Sequence, residues 1–247
     1  MASLKQERKQ FKMGVEKFGS NPAIGTSEEG VWDSGGAYPW LGTWDANPGV
    51  AQVITSTNAT DAEGANGMES IHVFGLDENG HPQSEIVTMS GTFTVTTVGL
   101  YNMIYRMHGE GVGLNGDTSN AGTISLRPAG GSFTAAIIRP LQGQTQMAMY
   151  TIPAGMVGVL NSVYGTSEQS TVNTVQFILR ARDGGIGSCW RTRFQIGGGA
   201  GRVVERRFPL PIVTFPAGTQ IELRAVTTNA SGSGVFAGFT IDLTSAG

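Results

Sequence analysis

The sequence predicts an all-β protein: two β-sandwich or jelly-roll-like domains preceded by an N-terminal arm with a short amphipathic helix. Three observations predict it. Charged residues are only 14% of the 247-residue chain and glycines number 37, a composition of turns rather than of surface helices. Short runs alternate apolar and polar residues, the period of a half-buried strand. Turn signals separate those runs at regular spacing, as sandwiches and jelly rolls require.

The arm covers residues 1–49. Leu4, Phe11, Val15 and Phe18 fall on one face of a helix over 3–18, with Ser3 as cap and Gly19 as stop. So short a helix is marginal alone in water, so its apolar face needs a partner. Its own β-domain, another protein or subunit, and an anionic surface all fit, although two phenylalanines are thin anchorage for a membrane. "MASLKQERKQFK" has no apolar core and does not read as a secretory signal, and no apolar run is long enough to span a bilayer.

The rest of the arm lacks any sustained period and holds "EEGVWDSGGAYPW". Trp and Tyr bury large areas while keeping a polar handle, which suits anchors. Trp32, Tyr38 and Trp40 are expected to wedge into a groove on a neighbouring subunit or on the first β-domain.

The first β-domain spans 50–150. "GMESIHVFGL", "DENG" and "HPQSEIVTMSG" make a hairpin around Asn79–Gly80. "LYNMIYRMHG", a glycine-rich loop, "TISLRP", "FTAAIIRP" and "TQMAMYTIP" continue it. The second spans 151–247, with strands in "MVGVLNSVYG", "VNTVQFILRAR", "CWRTRFQIG", "RVVERRFPLP", "TQIELRAVTT" and "VFAGFTIDL". Within it "TIPAGMVGVL" and "TFPAGTQIEL" echo each other, a Pro-Ala-Gly corner of the kind that passes a chain between the sheets of a sandwich.

Catalytic patterns do not emerge. His72, His81 and His108 show neither metal-ligand spacing nor an HExxH motif. His72 is expected near Glu85 across the hairpin, as a polar cross-strand contact. Glu28–Glu29 and Asp77–Glu78 are adjacent loop acids, not the separated carboxylates of a glycosidase. Glu110, Asn115 and Asp117 follow no calcium-loop pattern. "GGGAG" at 197–201 lacks the ending of a phosphate loop. Cys189 is the single cysteine and reads as a buried thiol. No catalytic residue, cofactor or metal is expected, and the chain reads as a non-enzyme.

Charge is unevenly laid out, with a basic arm, an acidic middle and an arginine-bearing end within a net charge of −3. Arg180 and Arg182 alternate on one strand, Arg191 and Arg193 on the next, and Arg206 and Arg207 lie on a third. A polar subunit interface against the acidic middle of a neighbour, a solvated face, and a nucleic-acid surface are the three readings. The negative total charge speaks against the last.

Several phrases resemble virion structural proteins of tailed bacteriophages, often seen in aquatic phages: "NPAIGTSEEGVWDSGGAYPW", "IHVFGLDENGHPQSEIVTMSGT", "QTQMAMYTIPAG" and "FPLPIVTFPAGTQIELRAV". The resemblance covers most of the chain after residue 20 and carries no catalytic residues across. It implies a non-enzymatic β-protein of the virion, assembled in the host cytoplasm, with a capsid decoration or cement role. The partners it implies are the major capsid protein and neighbouring copies of itself in a homo-oligomer, with no membrane, and nucleic acid stays the reading that the charge disfavours. The alternative is a tail or fibre adaptor or a receptor-binding component.

Overall fold

Strands from both ends of the sequence share one sheet in the computed structural model, which describes residues 12–40, 48–113, 119–168, 174–185, 187–198, 201–209, 213–228 and 233–246. That sheet runs β1 (Lys12–Ile24), β17 (Ser233–Ser245), β11 (Met156–Ser167), β14 (Val204–Arg207), and β15 (Thr214–Phe215) also pairs with β11. A second runs β10 (Met149–Thr151), β16 (Gln220–Thr227), β12 (Val175–Arg182), β13 (Arg191–Gly198), with β2 (Glu29–Gly30) on β16. Between these two sheets lies a core that includes Leu160, Val163, Phe177, Phe215, Leu223, Phe239 and Ile241.

Residues 50–150 supply two more sheets. One runs β6 (Val95–Thr96), β3 (Gln52–Ser56), β8 (Ile124–Pro128), β9 (Ala136–Ile138); the other runs β5 (Pro82–Thr88), β4 (Met68–Leu76), β7 (Met103–Val112). Their core includes Ile54, Ile71, Val73, Met103, Met107, Leu126 and Ile138. All paired strands are antiparallel, and no helix occurs among the described residues. The all-β expectation therefore holds.

The helix expected over 3–18 is corrected where it can be seen. Residues 12–24 are β1, running antiparallel to β17 from Lys12↔Thr244 to Asn21↔Val235. Leu4 and Phe11 lie outside the described residues. The same apolar positions read as a helix face or a strand according to what they meet. Here β17 presents a row of unpaired N–H and C=O groups, and a ladder of ten consecutive pairs satisfies them. An isolated helix of that length has no comparable partner. Val15 packs against the Phe239 core, whereas Phe18, an odd number of residues along, is half-buried on the other side. Gly19 allows β1 to cross the chain closely, because a Cβ there would lie 2.2 Å from the Val31 carbonyl oxygen and 2.7 Å from the Ala148 nitrogen.

The Pro-Ala-Gly echo is two equivalent corners. After β10 the chain turns at Pro153-Ala154-Gly155 and enters β11 of the other sheet; after β15 it turns at Pro216-Ala217-Gly218 and enters β16, crossing in the opposite sense. In each turn the residue after glycine donates to the proline carbonyl, Met156 to Pro153 and Thr219 to Pro216, both at 3.2 Å. Gly155 and Gly218 have φ of 72° and 77°, the left-handed conformation that this turn demands at its third residue.

Candidate interaction site

The aromatic stretch folds by a glycine turn. Gly35 and Gly36 both have positive φ, 69° and 65°, which brings the Gly36 carbonyl back to accept from the Gly30 amide at 2.8 Å and from Trp32 Nε1 at 3.3 Å. Residues 29–33 are thereby held as a strand-like segment between two others. Val31 N–H donates to Leu223, and the Val31 carbonyl accepts from Ala148, both at 2.9 Å.

From that segment an aromatic ladder runs across the junction of the two cores. Trp32 and Tyr38 meet edge to face at 5.1 Å, Tyr38 and Trp40 at 4.9 Å, and Trp40 meets Trp190 at 5.3 Å. Trp32 and Tyr38 are buried within the core of the first β-domain. The Tyr38 hydroxyl donates to the Ala135 carbonyl at 3.1 Å, and burial pushes its phenol pKa upward. The ladder is thus fastened to this chain's own first β-domain.

At its outer end Trp40 Nε1 donates to Glu222 Oε2 at 2.7 Å. Glu222 is fully buried on β16, and its other oxygen accepts from Arg180 at 3.0 Å and Arg224 at 2.6 Å. Arg180 also reaches Glu28 at 3.1 Å. Arg180 and Arg182 stand over the Trp190 ring at 5.4 and 4.9 Å, and Arg182 over Trp40 at 5.9 Å. One buried carboxylate is therefore compensated by two guanidinium groups and an indole N–H, the condition under which a buried anion is tolerated. Burial lowers the Arg182 pKa and Glu222 opposes that shift. Guanidinium groups do not trade protons at ordinary pH, so the arginines act here as fixed cations around the Glu222 carboxylate.

The remaining arginines do not continue that cluster. Strands β12 and β13 are neighbours, but a bulge after Leu179 sets Thr192 opposite Arg180, and Arg191 opposite Ala181. The two arginine pairs consequently do not form one stripe. Arg191 and Arg193 are exposed, with Arg193 at 3.9 Å from Asp183. Arg206 and Arg207 lie on β14 in the other sheet, and Arg207 pairs with Glu205. Cys189 is exposed, not buried: it sits just before β13, where no strand alternation turns it inward.

The expected His72–Glu85 contact is also corrected. The hairpin pairs Leu76 with Pro82, which sets His72 opposite Ile86 and Glu85 opposite Val73. One residue of register moves a side chain to the other face of the sheet. Glu85 instead accepts the amides of Val98 and Gly99 at 3.1 and 2.9 Å, while His72 faces His108 on β7. Glu222 and Trp190 were not singled out from sequence. The available signal was Glu222-Leu-Arg224, a strand spacing that puts acid and base on one face.

No protein-family model matches the chain, and no curated protein matches it. Solved structures of infectious bursal disease virus are similar to it at a low level. The Gt strain gives a TM-score of 0.27 at 12% identity, covering 100% of this chain and 75% of that one. The Gx strain gives 0.25 at 12%, with the same coverage. The VP2 subviral particle gives 0.26 at 10%, covering 96% and 73%. Scores this low carry no argument about role.

Proposed function

We propose that this chain is a structural component of a tailed-phage virion, of the head decoration or cement type, and that it works by assembling rather than by catalysis. Its partners in this reading are the major capsid protein and neighbouring copies of itself. The sequence phrases that resemble virion structural proteins support it. One structural observation carries it. Four large apolar side chains stand in solvent between residues 86 and 100. Val98 is 94% exposed, Phe93 75%, Ile86 56% and Leu100 49%. Apolar groups gathered in one stretch of a surface mark a protein contact. Trp32 and Tyr38 are turned into the core, and in this reading the segment from Ile86 to Leu100 is the part that meets the shell.

Quantitative mass spectrometry of purified virions tests the reading. Many copies per head are expected, with particles lacking the protein losing heat resistance. A handful of copies per particle overturns the decoration role. In a reconstitution on bare capsids, the double substitution Phe93→Asp and Val98→Asp is expected to abolish binding without unfolding the chain, because both side chains are already in water.

A further inference from the structure

On the outer face of the β5–β4–β7 sheet three groups that bind metals converge. His72 and His108 sit directly opposite each other on β4 and β7, and Glu110 is the extra residue of a bulge in that ladder, between Gly109 opposite Ile71 and Gly111 opposite Ser70. Glu110 Oε2 is 3.6 Å from the Nδ1 atoms of both histidines. One ligand atom from each of the three lies within 4.8 Å of the others, and no other such trio of His, Cys, Asp or Glu occurs among the described residues.

We propose that His72, His108 and Glu110 form a binding site for a divalent transition-metal ion of the zinc class. Bonds of about 2.0–2.1 Å at tetrahedral angles place two ligand atoms about 3.4 Å apart. Both histidine–glutamate separations, 3.6 Å, are already near that value, and the two imidazole donors, within 4.8 Å, approach to it on closure. Phe74 holds the rings: its ring lies 4.0 Å from His72 and 5.1 Å from His108, and the two imidazoles are 5.4 Å apart. The sheet register fixes both backbones, so most of the ordering cost is met by folding.

The donor set selects the ion class. Two imidazoles with one carboxylate suit zinc, nickel or copper, whereas calcium and magnesium need more oxygens than this face offers. His108 Nδ1 lies 3.0 Å from the Gly109 carbonyl, a contact made by a proton on Nδ1. Coordination through that atom moves the ring proton to Nε2 and gives up this contact. The three side chains are 22%, 29% and 44% exposed, so an ion reaches them without unfolding the sheet. Three protein ligands leave one tetrahedral position for water or for a group of an approaching molecule. The site stands on geometry independent of the virion role.

Calorimetric titration of the full chain, free of tags and stripped of metal, with zinc chloride tests it. One Zn²⁺ per chain is expected, and His72→Ala or His108→Ala should each weaken binding by at least about tenfold. Glu110→Gln should weaken it, and His81→Ala, whose ring neighbours only the Asp77 carboxylate at 3.7 Å, should leave it unchanged. Magnesium chloride should give no heat. His108→Gln serves as a second variant if His108→Ala alters the circular dichroism of the apo chain. Absence of saturable zinc binding, retention of it in the double His72→Ala, His108→Ala chain, or equal loss in His81→Ala overturns the site.

Discussion

The two hydrophobic cores are filled with different chemistry. Around β17 and β11 the buried side chains are Phe, Leu, Ile, Val and Ala, with Phe177, Phe215 and Phe239 among them and Tyr150 the one polar-tipped member. Around β4 and β7 they include Met68, Met89, Met103, Met107, Met147 and Met149. Ladder regularity differs in parallel. The β1–β17 pairing runs unbroken for ten residue pairs, Lys12↔Thr244 to Asn21↔Val235. The β4–β7 pairing shifts register three times within Met68–Leu76. Stiff branched and aromatic side chains pack where the strand geometry repeats. An unbranched thioether adapts to the irregular gaps that bulges leave.

The largest expected effect comes from removing residues 1–24. Deletion uncovers the edge of β17 and one flank of the Phe239 core, so the second β-domain should lose cooperative unfolding and resist refolding. Limited proteolysis that finds 150–246 still protected in the deleted chain would contradict this.

Next come single substitutions that set the cores against each other. Phe239→Ala should cost about 3–5 kcal/mol, because a regular ladder cannot collapse around the cavity. Met107→Leu should cost less than about 1.5 kcal/mol in the adaptable core. Urea unfolding of both variants measures the contrast, and equal costs would remove the distinction between the cores.

A pH-dependent effect belongs to Lys17 on β1, beside Tyr105 of β7. Its Nζ donates to the Tyr105 backbone carbonyl and lies 5.7 Å from the Tyr105 ring centroid. Burial, with Arg106 adding repulsion, lowers its pKa from 10.5 to about 7. Between those values the unfolded chain holds the proton and the folded chain does not. Stability therefore rises with pH across that window, and the contribution is lost as pH falls to about 7. Lys17→Met should flatten the slope by an amount on the order of a few kcal/mol between the ends of the window. Identical pH profiles of parent and variant in urea would sink the assignment.

Much of the architecture was legible from the chain because its causes are local. Strand alternation, the turn chemistry of Asp77–His81 and the paired Pro-Ala-Gly corners act over a few residues, and the structure shows all three. The ladder Trp32–Tyr38–Trp40 was visible as a concentration of aromatics, but its hydrogen-bonded end was not. Glu222 lies 182 positions from Trp40, and nothing near either residue names the other.

The sequence by itself determined an all-β chain, its hairpin and its sheet-crossing corners. Tertiary structure alone decided three things. Residues 12–18 became strand because β17, far along the chain, offers an open edge whose backbone groups outweigh a weak local helix preference. His72 met His108 rather than Glu85 because a single residue of register, chosen by burial of Ile71 and Val73, selects the face. The arginines of β12 and β13 split apart because a bulge intervenes. In each case, long-range pairing and burial chose between conformations that local sequence leaves nearly equal in energy.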